Sequence, residues 1–512
     1  MAFAVKLFKR FVKINESIKN TYKPSGFSLQ AKTLKKLLDT AKNTQFGKQY
    51  DFTQILKSKN KIKAYHQAVP IYDYDSLYKD WWHKTINGEE DVCWPGKVKY
   101  FALSSGTSGS PSKQIPVTKD TLRAMRKAAY KQSKSLVHYD LPEDFFEKNI
   151  LMLGGTTNLT PINKALQGDL SGILMKNIPL WMYRFYRPGR KIANIPNWTE
   201  KLEEITLNAK DWDIGIIAGV PAWSQILIEN IIKHYRLEHI HEIWPNFKFL
   251  VHGGVAFEPY RKSFEKLLGK EVYYMETYLA SEGFMALQNG AYKKSMQLLL
   301  DNGIFFEFIP FNDANFNSDG SPKQNIVPLV INQVKENIDY AILISTCSGN
   351  WRYLIGDTIR FTSLKDFEIV ITGRTKHFLS LCGEHLSVDN MNHAIQTVAE
   401  KFSIDIKEFT VAGFSKENYF AHHWYIGTND GVDAEQIKLL LDQTLKKLND
   451  DYAVERQSAL KEIIVDVLPV ATFYEWMKQR GKEGGQNKFP RVLKNKLYDD
   501  WQLFVESQLK MI

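Results

Sequence analysis

Short apolar runs alternate with amphipathic stretches along about the first 370 residues of the chain. Short runs of this kind are typical of strands that are buried on both faces. They occur at 149–153, 214–218, 247–251 and 271–275. Between them, apolar residues return at helical spacing in 199–209, 222–235 and 259–268. Strands that alternate with helices in this way predict a wound α/β architecture with largely buried sheets.

The pattern then changes to strands with two different faces, in which apolar and polar residues alternate. Such segments occur at 295–300, 303–309, 327–334 and 338–346. Asp301-Asn302-Gly303 lies between the first two and is a strong hairpin signal, because Asn-Gly favours a tight turn between paired strands. These segments predict a small antiparallel sheet or β-barrel-like part attached to the α/β body.

The final part of the chain predicts a smaller unit of the order strand, helix, strand, strand, helix, strand, helix. Its clearest strands are at 409–414, 420–427 and 462–468, with a helix at 432–448. We therefore predict a large N-terminal α/β domain over 1–372 and a smaller, mobile α+β lid domain over 373–512.

Composition and charge narrow the class of protein. Hydrophobic residues make up 44% and charged residues 24% of the 512 residues, as in ordinary soluble domains. The net charge of +10 is dispersed, so attraction of small anions is favoured over nucleic-acid binding. Cys93, Cys347 and Cys382 are too far apart in sequence for a dense disulfide framework or a zinc knuckle. A reducing, cytoplasmic setting is therefore expected.

The N-terminus mixes basic and apolar residues, so an uninterrupted secretory signal core is not expected. Leu7, Phe11, Ile14 and Ile18 fall on one helical face. A helix packed on the domain is the favoured interpretation, and a membrane-surface helix is the alternative. No uncharged run is long enough for stable membrane insertion.

A run of small, hydroxylated and glycine residues is the first candidate for chemistry. It follows an apolar strand at 98–103, precedes a helical pattern that begins near Lys119, and ends at Lys113. Its leading residues are Ser104, Ser105, Gly106, Thr107, Ser108 and Gly109. Backbone N–H groups, hydroxyls and a lysine suit phosphate oxygens. The run is not a Walker loop, because Pro111 stands where that motif requires glycine, and a surface turn or linker remains an alternative.

Four further segments occur downstream in a fixed order. They are His-Gly-Gly-Val at 252–255, Tyr-Leu-Ala-Ser-Glu-Gly at 278–283, Trp-Arg-Tyr-Leu-Ile-Gly-Asp-Thr at 351–358, and Gly-Arg-Thr-Lys at 373–376 followed by Gly-Glu at 383–384. Each segment alone is weak evidence for a functional site. An aspartate such as Asp357 is more often a turn residue than a ligand, and a glutamate such as Glu282 is most often a solvated residue at the start of a helix.

Taken together, the segments resemble the adenylate-forming superfamily of acyl-CoA synthetases, luciferases and peptide-synthetase adenylation domains. They look most like the acyl acid–amido synthetases that conjugate plant hormones and related acids to amino acids. The Arg-Tyr-hydrophobic-hydrophobic-Gly-Asp and Tyr-x-Ala-Ser-Glu motifs carry the closer likeness. The resemblance runs from about Phe101 to Arg491.

This resemblance implies a nucleotide site with ATP and Mg²⁺. The Ser104 to Gly109 loop would hold the ATP phosphates. Tyr278 would pack on the adenine, with Ser281 beside it. Glu282 would ligate Mg²⁺, whose preferred ligands are carboxylate and phosphate oxygens. Gly253, Gly254 and Val255 would line the adenine pocket.

An aspartate, an arginine and two lysines complete the implied site. Asp357 would accept hydrogen bonds from the two ribose hydroxyls, and Arg374 would assist the ribose or phosphates. Lys376 occupies the hinge position, and Lys488 matches the late lysine that reaches the phosphates when the lid closes. For both lysines a plain exposed side chain is the alternative. The roles of Lys113 and His385 stay unassigned.

The acyl pocket is expected between the phosphate loop and the 220s. Gly155, Thr156, Val220 and Trp223 are its main candidates, with Gly154, Thr157, Leu174 and Pro221 beside them. An apolar and aromatic lining would suit a hydrophobic or aromatic acid, whereas ordinary core packing is the alternative for each residue.

The expected reaction activates a carboxylic acid as acyl-AMP and transfers the acyl group to the amine of an amino acid, forming an amide. An acyl-CoA ligase and a non-catalytic nucleotide-binding protein on the same fold are the alternatives. The sequence leaves open the acid, the amine and the oligomeric state.

Overall fold

We describe the chain from a computed structural model. It covers residues 24–104, 113–254, 257–290, 293–317, 320–375, 379, 381, 384, 386–416, 419–456, 460–484, 487–494 and 496–509. Several predictions concern residues outside these ranges. They are the N-terminal helical face, Ser105 to Gly109, Val255, Lys376, Cys382 and His385.

The described strands form three sheets, and their bounds follow. They are β1 Tyr100–Ser104, β2 Lys113–Val117, β3 Asn149–Leu153, β4 Thr160–Ile162, β5 Ala165–Gly168, β6 Tyr186–Arg187, β7 Ile214–Gly219, β8 Phe249–Gly253, β9 Tyr273–Ala280, β10 Gly283–Leu287, β11 Met296–Leu298, β12 Ile304–Pro310, β13 Asp339–Thr346, β14 Tyr353–Ser363, β15 Glu368–Arg374, β16 Glu408–Lys416, β17 Tyr419–Gly427, β18 Leu460–Leu468 and β19 Val492–Leu493.

The α-helices cover these sheets. They are α1 Gly26–Ala41, α2 Gln45–Gln49, α3 Phe52–Lys57, α4 Lys61–Ala68, α5 Tyr74–Leu77, α6 His83–Ile86, α7 Lys119–Ser135, α8 Leu170–Lys176, α9 Gly189–Ala193, α10 Trp198–Asn208, α11 Pro221–Tyr235, α12 Glu258–Leu267, α13 Val388–Phe402, α14 Ala434–Leu448, α15 Asp450–Glu455, α16 Val470–Gln479 and α17 Lys496–Leu509. Local signals set several starts: Asn197 caps α10, and a proline occupies the first turn of α11.

The largest sheet has eleven strands in the order β12-β13-β14-β15-β11-β10-β9-β8-β7-β3-β6. Strands β6, β3, β7, β8 and β9 are parallel to one another, and helices connect them. From β9 onward the pairing is antiparallel. The parallel half confirms the wound α/β prediction, with strands and helices within a few residues of the predicted bounds.

The antiparallel half corrects two details of the sequence analysis. Its strands continue the large sheet rather than forming a separate sheet or barrel. The strand expected at 327–334 is wrong: this segment has only an isolated bridge between Phe308 and Leu329. Pro328 explains the difference, because proline has no N–H to donate to a strand ladder.

The C-terminal sheet has the order β18-β17-β16-β19, with mixed parallel and antiparallel pairing. Helices α13 and α14 pack on it around a core of their own. Helices α16 and α17 instead share an apolar core with α10, α11 and α12. The small unit is therefore attached to the large one through apolar contacts as well as polar ones. The predicted division at residue 373 stays a prediction.

A buried ion pair anchors the N-terminal helices to the large sheet. The Arg352 guanidinium lies 3.0 Å from the Glu307 carboxylate, and the two side chains are 5% and 0% exposed. Arg352 also donates hydrogen bonds to the carbonyls of His66 and Val69 at 3.0 and 2.6 Å. Burial by itself raises the pKa of Glu307, but the His66 hydrogen bond and the Arg352 charge outweigh it and lower the pKa. The arginine of the Arg-Tyr signature is thus a structural residue.

Replacing Glu307 by Gln should destabilise the protein by about 3–5 kcal/mol, because it leaves the Arg352 charge buried without its partner. Urea unfolding followed by tryptophan fluorescence at pH 7 measures this loss. Because the folded pKa of Glu307 is lowered, the stabilisation is present above the ordinary pKa of about 4.3 and is lost as the pH falls below it.

Asp339→Asn is the matched control, since the Asp339–Arg360 pair on the same sheet is partly exposed. Its cost should stay within about 1 kcal/mol. Equal destabilisation by the two substitutions would contradict the anchoring role of Glu307.

Candidate active site

The parallel strands bring most candidate residues to one edge of the large sheet. Gly155 follows β3, Val220 follows β7, Gly254 follows β8, and Glu282 lies in the turn after β9. The carboxyl ends of parallel strands meet at one edge, which is where ligands bind in open α/β sheets. Segments separated by more than a hundred residues in sequence therefore converge.

A carboxylate–guanidinium pair joins the antiparallel half to this edge. Asp357 and Arg374 are opposite one another in the β14–β15 ladder, and their side chains form an ion pair of 2.9 Å. Tyr278 of β9 donates a hydrogen bond of 2.6 Å to the other oxygen of Asp357. Burial, then the negative Asp357, raises the pKa of Tyr278 far above its usual value, so the phenol stays a donor. The Asp357 oxygens keep free lone pairs for a further donor.

Glu282 lies buried near the same carboxylate. Burial raises its pKa, and the negative charge of Asp357 adds to the increase, whereas Lys113 and Arg374 oppose it. The Tyr353 phenol interacts with Glu282 by a hydrogen bond. Burial and the neighbouring carboxylate both disfavour the ionised form of Glu282, so a bound cation would stabilise that form. Among the described residues, no cluster of three or more His, Cys, Asp or Glu forms a ready-made metal site.

Lys488 crosses from the C-terminal unit to the edge of the large sheet. Its ammonium donates a short hydrogen bond to the carbonyl of Gly254. Gly254 has φ +82°, a conformation that favours glycine, and a Cβ there would lie 2.2 Å from the Lys488 nitrogen and displace it. Water still reaches the Lys488 side chain. Partial desolvation lowers the pKa of Lys488 to about 8, and the positive charge of Arg374 adds to this decrease. The negative charge of Asp357 opposes it.

Ser104 and Lys113 bracket the glycine- and serine-rich run. They are directly opposite one another in the antiparallel β1–β2 pair, so the run leaves and returns at one point. The strand β2 was not predicted from sequence. Lys113 also interacts with Glu282, and this places it at the site. Ser281 is buried beside Glu282 at the end of β9.

The acyl-pocket candidates divide into two groups. Gly155 and Thr156 form a turn after β3: the Gly155 N–H donates to Ser171 at 2.9 Å, and the Thr156 hydroxyl donates to the Asn194 carbonyl at 3.1 Å. Val220 and Trp223 instead line a cavity that both units share. The other residues around it are Ala222, Tyr260, Glu408, Tyr474, Met477, Asn487, Lys488, Phe489 and Arg491.

Trp223 has a second role that the sequence did not indicate. Its indole N–H donates a hydrogen bond of 3.2 Å to the Asn487 carbonyl, beside Lys488. Tyr353 was also missed as a site residue, although it follows Arg352 in the Arg-Tyr signature. The cavity is closed further by Tyr260 and Arg491, which both bind Glu408, at 3.0 and 2.7 Å.

Models of one family match most of the chain. The GH3 family N-terminal domain matches residues 21–160 and 160–272, the central domain matches 297–373, and the C-terminal domain matches 389–497. The segments that resemble the superfamily in sequence all fall within these matches or between them. In the described residues, no helix combines the length and apolar composition needed to cross a bilayer.

The similar curated proteins include amido synthetases of Arabidopsis thaliana. The indole-3-acetic acid-amido synthetase GH3.4 is 22% identical over an alignment that covers 91% of this chain and 89% of that protein. The 4-substituted benzoates-glutamate ligase GH3.12 is also 22% identical, covering 85% of this chain and 88% of that protein.

Solved structures have the same fold. The GH3.15 acyl acid amido synthetase superimposes with a TM-score of 0.77 at 17% identity, over 98% of this chain and 96% of that one. A 2-hydroxyisobutyryl-CoA ligase in the postadenylation state gives a TM-score of 0.59 at 11% identity, over 94% and 92% of the two chains. The predicted adenylate-forming fold is therefore confirmed.

Gly254→Ala should move the Lys488 ammonium away from Arg374, because the added methyl occupies its position. Competitive acetylation across pH, read by mass spectrometry, measures the pKa of Lys488. We expect a midpoint of about 8 in the unmodified protein and a shift toward the ordinary value of about 10.4 in the variant.

Gly481→Ala provides the matched control. Gly481 also has a left-handed φ of +63°, but no atom lies within 4 Å of its added Cβ. It should leave the Lys488 midpoint unchanged. A Gly254→Ala midpoint that stays near 8 would show that Lys488 does not occupy this position.

Proposed function

The chain belongs to the GH3 family, and from this premise we propose that it is an acyl acid–amido synthetase. In this proposal it uses ATP to activate a carboxylic acid as acyl-AMP, with release of pyrophosphate. It then transfers the acyl group to the amine of an amino acid, which gives an amide and AMP. The observation that carries the proposal is the convergence of Tyr278, Asp357, Arg374, Glu282 and Lys488 at one sheet edge.

Asp357 is the proposed ribose ligand. Arg374 and Tyr278 each hold one of its oxygens, so the carboxylate is fixed before the nucleotide arrives. A fixed bidentate acceptor suits two neighbouring hydroxyl groups. Tyr278 would offer its ring to the adenine while its hydroxyl stays bonded to Asp357. Gly253 and Gly254 would let the base approach the backbone closely.

Lys488 and the β1–β2 hairpin are the proposed phosphate ligands. Ser104 and Lys113 bracket the run that would bind the phosphate oxygens through backbone N–H groups and hydroxyls. Lys488 would place a positive charge where negative charge accumulates as pyrophosphate leaves. Since its pKa is lowered to about 8, Lys488 begins to lose this charge as the pH rises through that value in the free protein.

Glu282 fits a Mg²⁺ ion that would be shared with the nucleotide. Mg²⁺ is usually held in such sites by one or two carboxylates together with substrate phosphates and water, so a single buried carboxylate is sufficient. When bound, the ion would neutralise charge on the phosphates.

The lid forms the second part of the proposal. We propose domains over 1–372 and 373–512, with Lys376 as the pivot between them. Two contacts join the units in the present arrangement, one between Trp223 and Asn487 and one between Lys488 and Gly254. In this arrangement Lys488 reaches the carboxyl edge of the parallel strands, where we propose that the nucleotide binds. Rotation would remove Lys488 after activation and open the site to the amine. The cytoplasmic setting expected from the cysteines belongs to the same proposal.

Amide formation needs no covalent enzyme intermediate. A free carboxylate does not react with an amine at neutral pH, because its leaving group would be oxide or hydroxide. In acyl-AMP the leaving group is AMP, so the unprotonated amine nitrogen bonds to the acyl carbon as the carbon–oxygen bond to phosphate breaks, and the nitrogen releases one proton to solvent. The residues at the sheet edge bind and orient the reactants, and positioning supplies much of the rate. Val220 and Trp223 are the proposed apolar contacts of the acid.

Two assays on the full chain test this function. ATP–pyrophosphate exchange over a panel of aliphatic and aromatic acids identifies the acid that is activated. AMP release with that acid is then measured with a mixture of the twenty amino acids and, separately, with coenzyme A. We expect amino-acid-dependent AMP release and an amide in the mass spectrum. A thioester formed only with coenzyme A would assign an acyl-CoA ligase, and no exchange with any acid would reject catalysis.

Asp357→Ala should raise the KM for ATP in the exchange assay by about 100-fold, because two hydrogen bonds between the carboxylate and the ribose are lost. Asp339→Ala is the control, since Asp339 forms a similar ion pair with Arg360 across the neighbouring β13–β14 pair. It should leave the KM for ATP unchanged. Equal KM values in the two variants would remove Asp357 from the ribose site.

A further inference from the structure

Lys201 is a buried cation that forms no direct ion pair within the described part of the chain. The residue is 3% exposed on α10, and its ammonium has one long hydrogen bond of 3.4 Å to the Gly154 carbonyl. The Trp198 ring lies 5.8 Å away. Within the described ranges, no carboxylate lies within 4.0 Å of its nitrogen. An ammonium has three donors, so this arrangement leaves most of its bonding capacity unused.

Asp169 packs against Gly155, the next residue of the chain after Gly154. It follows β5, which pairs in parallel with β1, so it lies at the end of β5 beside the end of β1. Its carboxylate packs on Gly155, where an added Cβ would lie 2.1 Å from Oδ2. Asp169 makes no cap hydrogen bond to α8 although it occupies the N-cap position. In the described ranges no cation lies within 4.0 Å of it.

The two charges are therefore near each other but not paired. Each contacts one residue of the Gly154–Gly155 turn, which follows β3 at the carboxyl edge of the sheet. Leaving a buried charge unpaired costs free energy, which a packed apolar residue or a direct ion pair would avoid. A ligand that carries both signs of charge would satisfy both groups at once.

We propose that Lys201 and Asp169 bind the acceptor amino acid as a zwitterion, Lys201 holding the α-carboxylate and Asp169 the α-ammonium, which gives up a proton to water before its nitrogen attacks the acyl carbon. This inference rests on the proposed function and names the residues that select an amino acid over other acceptors. The activated acid does not fit the pair, because its single carboxylate becomes the uncharged acyl group of the anhydride. A thiol acceptor offers no positive group to Asp169.

The position of the pair agrees with an acceptor site that opens after activation. Trp198 and Thr199 begin the helix that carries Lys201. Gly484 of the C-terminal unit packs against the Trp198 ring so closely that an added Cβ would lie 1.9 Å from it. Glu483 accepts a hydrogen bond of 3.5 Å from Thr199. The lid thus covers this helix while Lys488 is at the nucleotide edge, and lid rotation would uncover it.

The test separates the acceptor step from activation. Variants Lys201→Met, Lys201→Arg and Asp169→Asn are assayed beside Lys210→Met, which removes an exposed lysine at the end of the same helical segment. Pyrophosphate exchange without amino acid reports on folding and activation. AMP release is then measured with the best amino acid of the twenty and with its α-amide, which keeps the amine but has no carboxylate.

We expect exchange to be unchanged in all four variants. In the unmodified protein the α-amide should have a KM about 30-fold above that of the amino acid, the size expected for one charge-assisted hydrogen bond. Lys201→Met should remove this preference by raising the KM of the amino acid alone. Lys201→Arg should keep much of the preference for the amino acid over its α-amide. Asp169→Asn should raise the KM of both compounds, and Lys210→Met should change neither KM.

Other results would overturn the inference. If Lys201→Met keeps the preference for the amino acid over its amide, Lys201 does not bind the carboxylate. If the unmodified protein has the same KM for the amino acid and for its α-amide, no residue of the protein binds the carboxylate. If Lys201→Met raises the KM of the acid in exchange, or abolishes exchange, Lys201 serves the acid site or the fold instead. Exchange without amino-acid-dependent AMP release in the unmodified protein would reject the proposed amide synthesis itself. This result is read from the unmodified protein, so it is distinct from the outcomes expected of the Lys201 and Asp169 variants.

Discussion

The Asp357 carboxylate, held by Arg374 on one oxygen and Tyr278 on the other, connects the two halves of the large sheet. Tyr278 belongs to the last parallel strand, and Asp357 belongs to the antiparallel half. The pair fixes a charged acceptor at the edge where the parallel strands end. The negative charge of this carboxylate adds to the raised pKa of Glu282. It also opposes the lowering of the pKa of Lys488. The site therefore depends on one well-oriented negative charge.

Two kinds of buried charge occur in this protein, and they have different consequences. Arg352 and Glu307 are directly paired and fully bonded, so they fix the helices on the sheet. Lys201, which is buried, and Asp169, which is partly buried, lie near the site and lack such pairing in the described ranges. Breaking a buried ion pair is strongly destabilising, whereas titratable groups in a cleft with perturbed pKa values are candidates for a functional site. The contrast separates the pair that anchors the fold from the two groups that we propose bind the acceptor.

The sequence predicted the architecture because apolar periodicity reflects burial directly. The strand at 149–153 and helices α10 to α12 were placed within about two residues. The segment at 327–334 was misassigned because its apolar residues outweighed the effect of Pro328. Motif order predicted which residues would converge at the site, but the pairing of Asp357 with Arg374 depends on strand register, which no local pattern specifies. Tyr353 and Lys201 were missed, since each becomes distinctive only through neighbours that are distant in sequence.

A crystal structure of the full chain with ATP and Mg²⁺ tests the central claim most directly. The account predicts electron density for the nucleotide at the carboxyl edge of the parallel strands, with both ribose hydroxyls within hydrogen-bonding distance of Asp357 and the adenine against Tyr278. Density for the ribose at another face of the molecule, with Asp357 still bonded only to Arg374 and Tyr278, would contradict it.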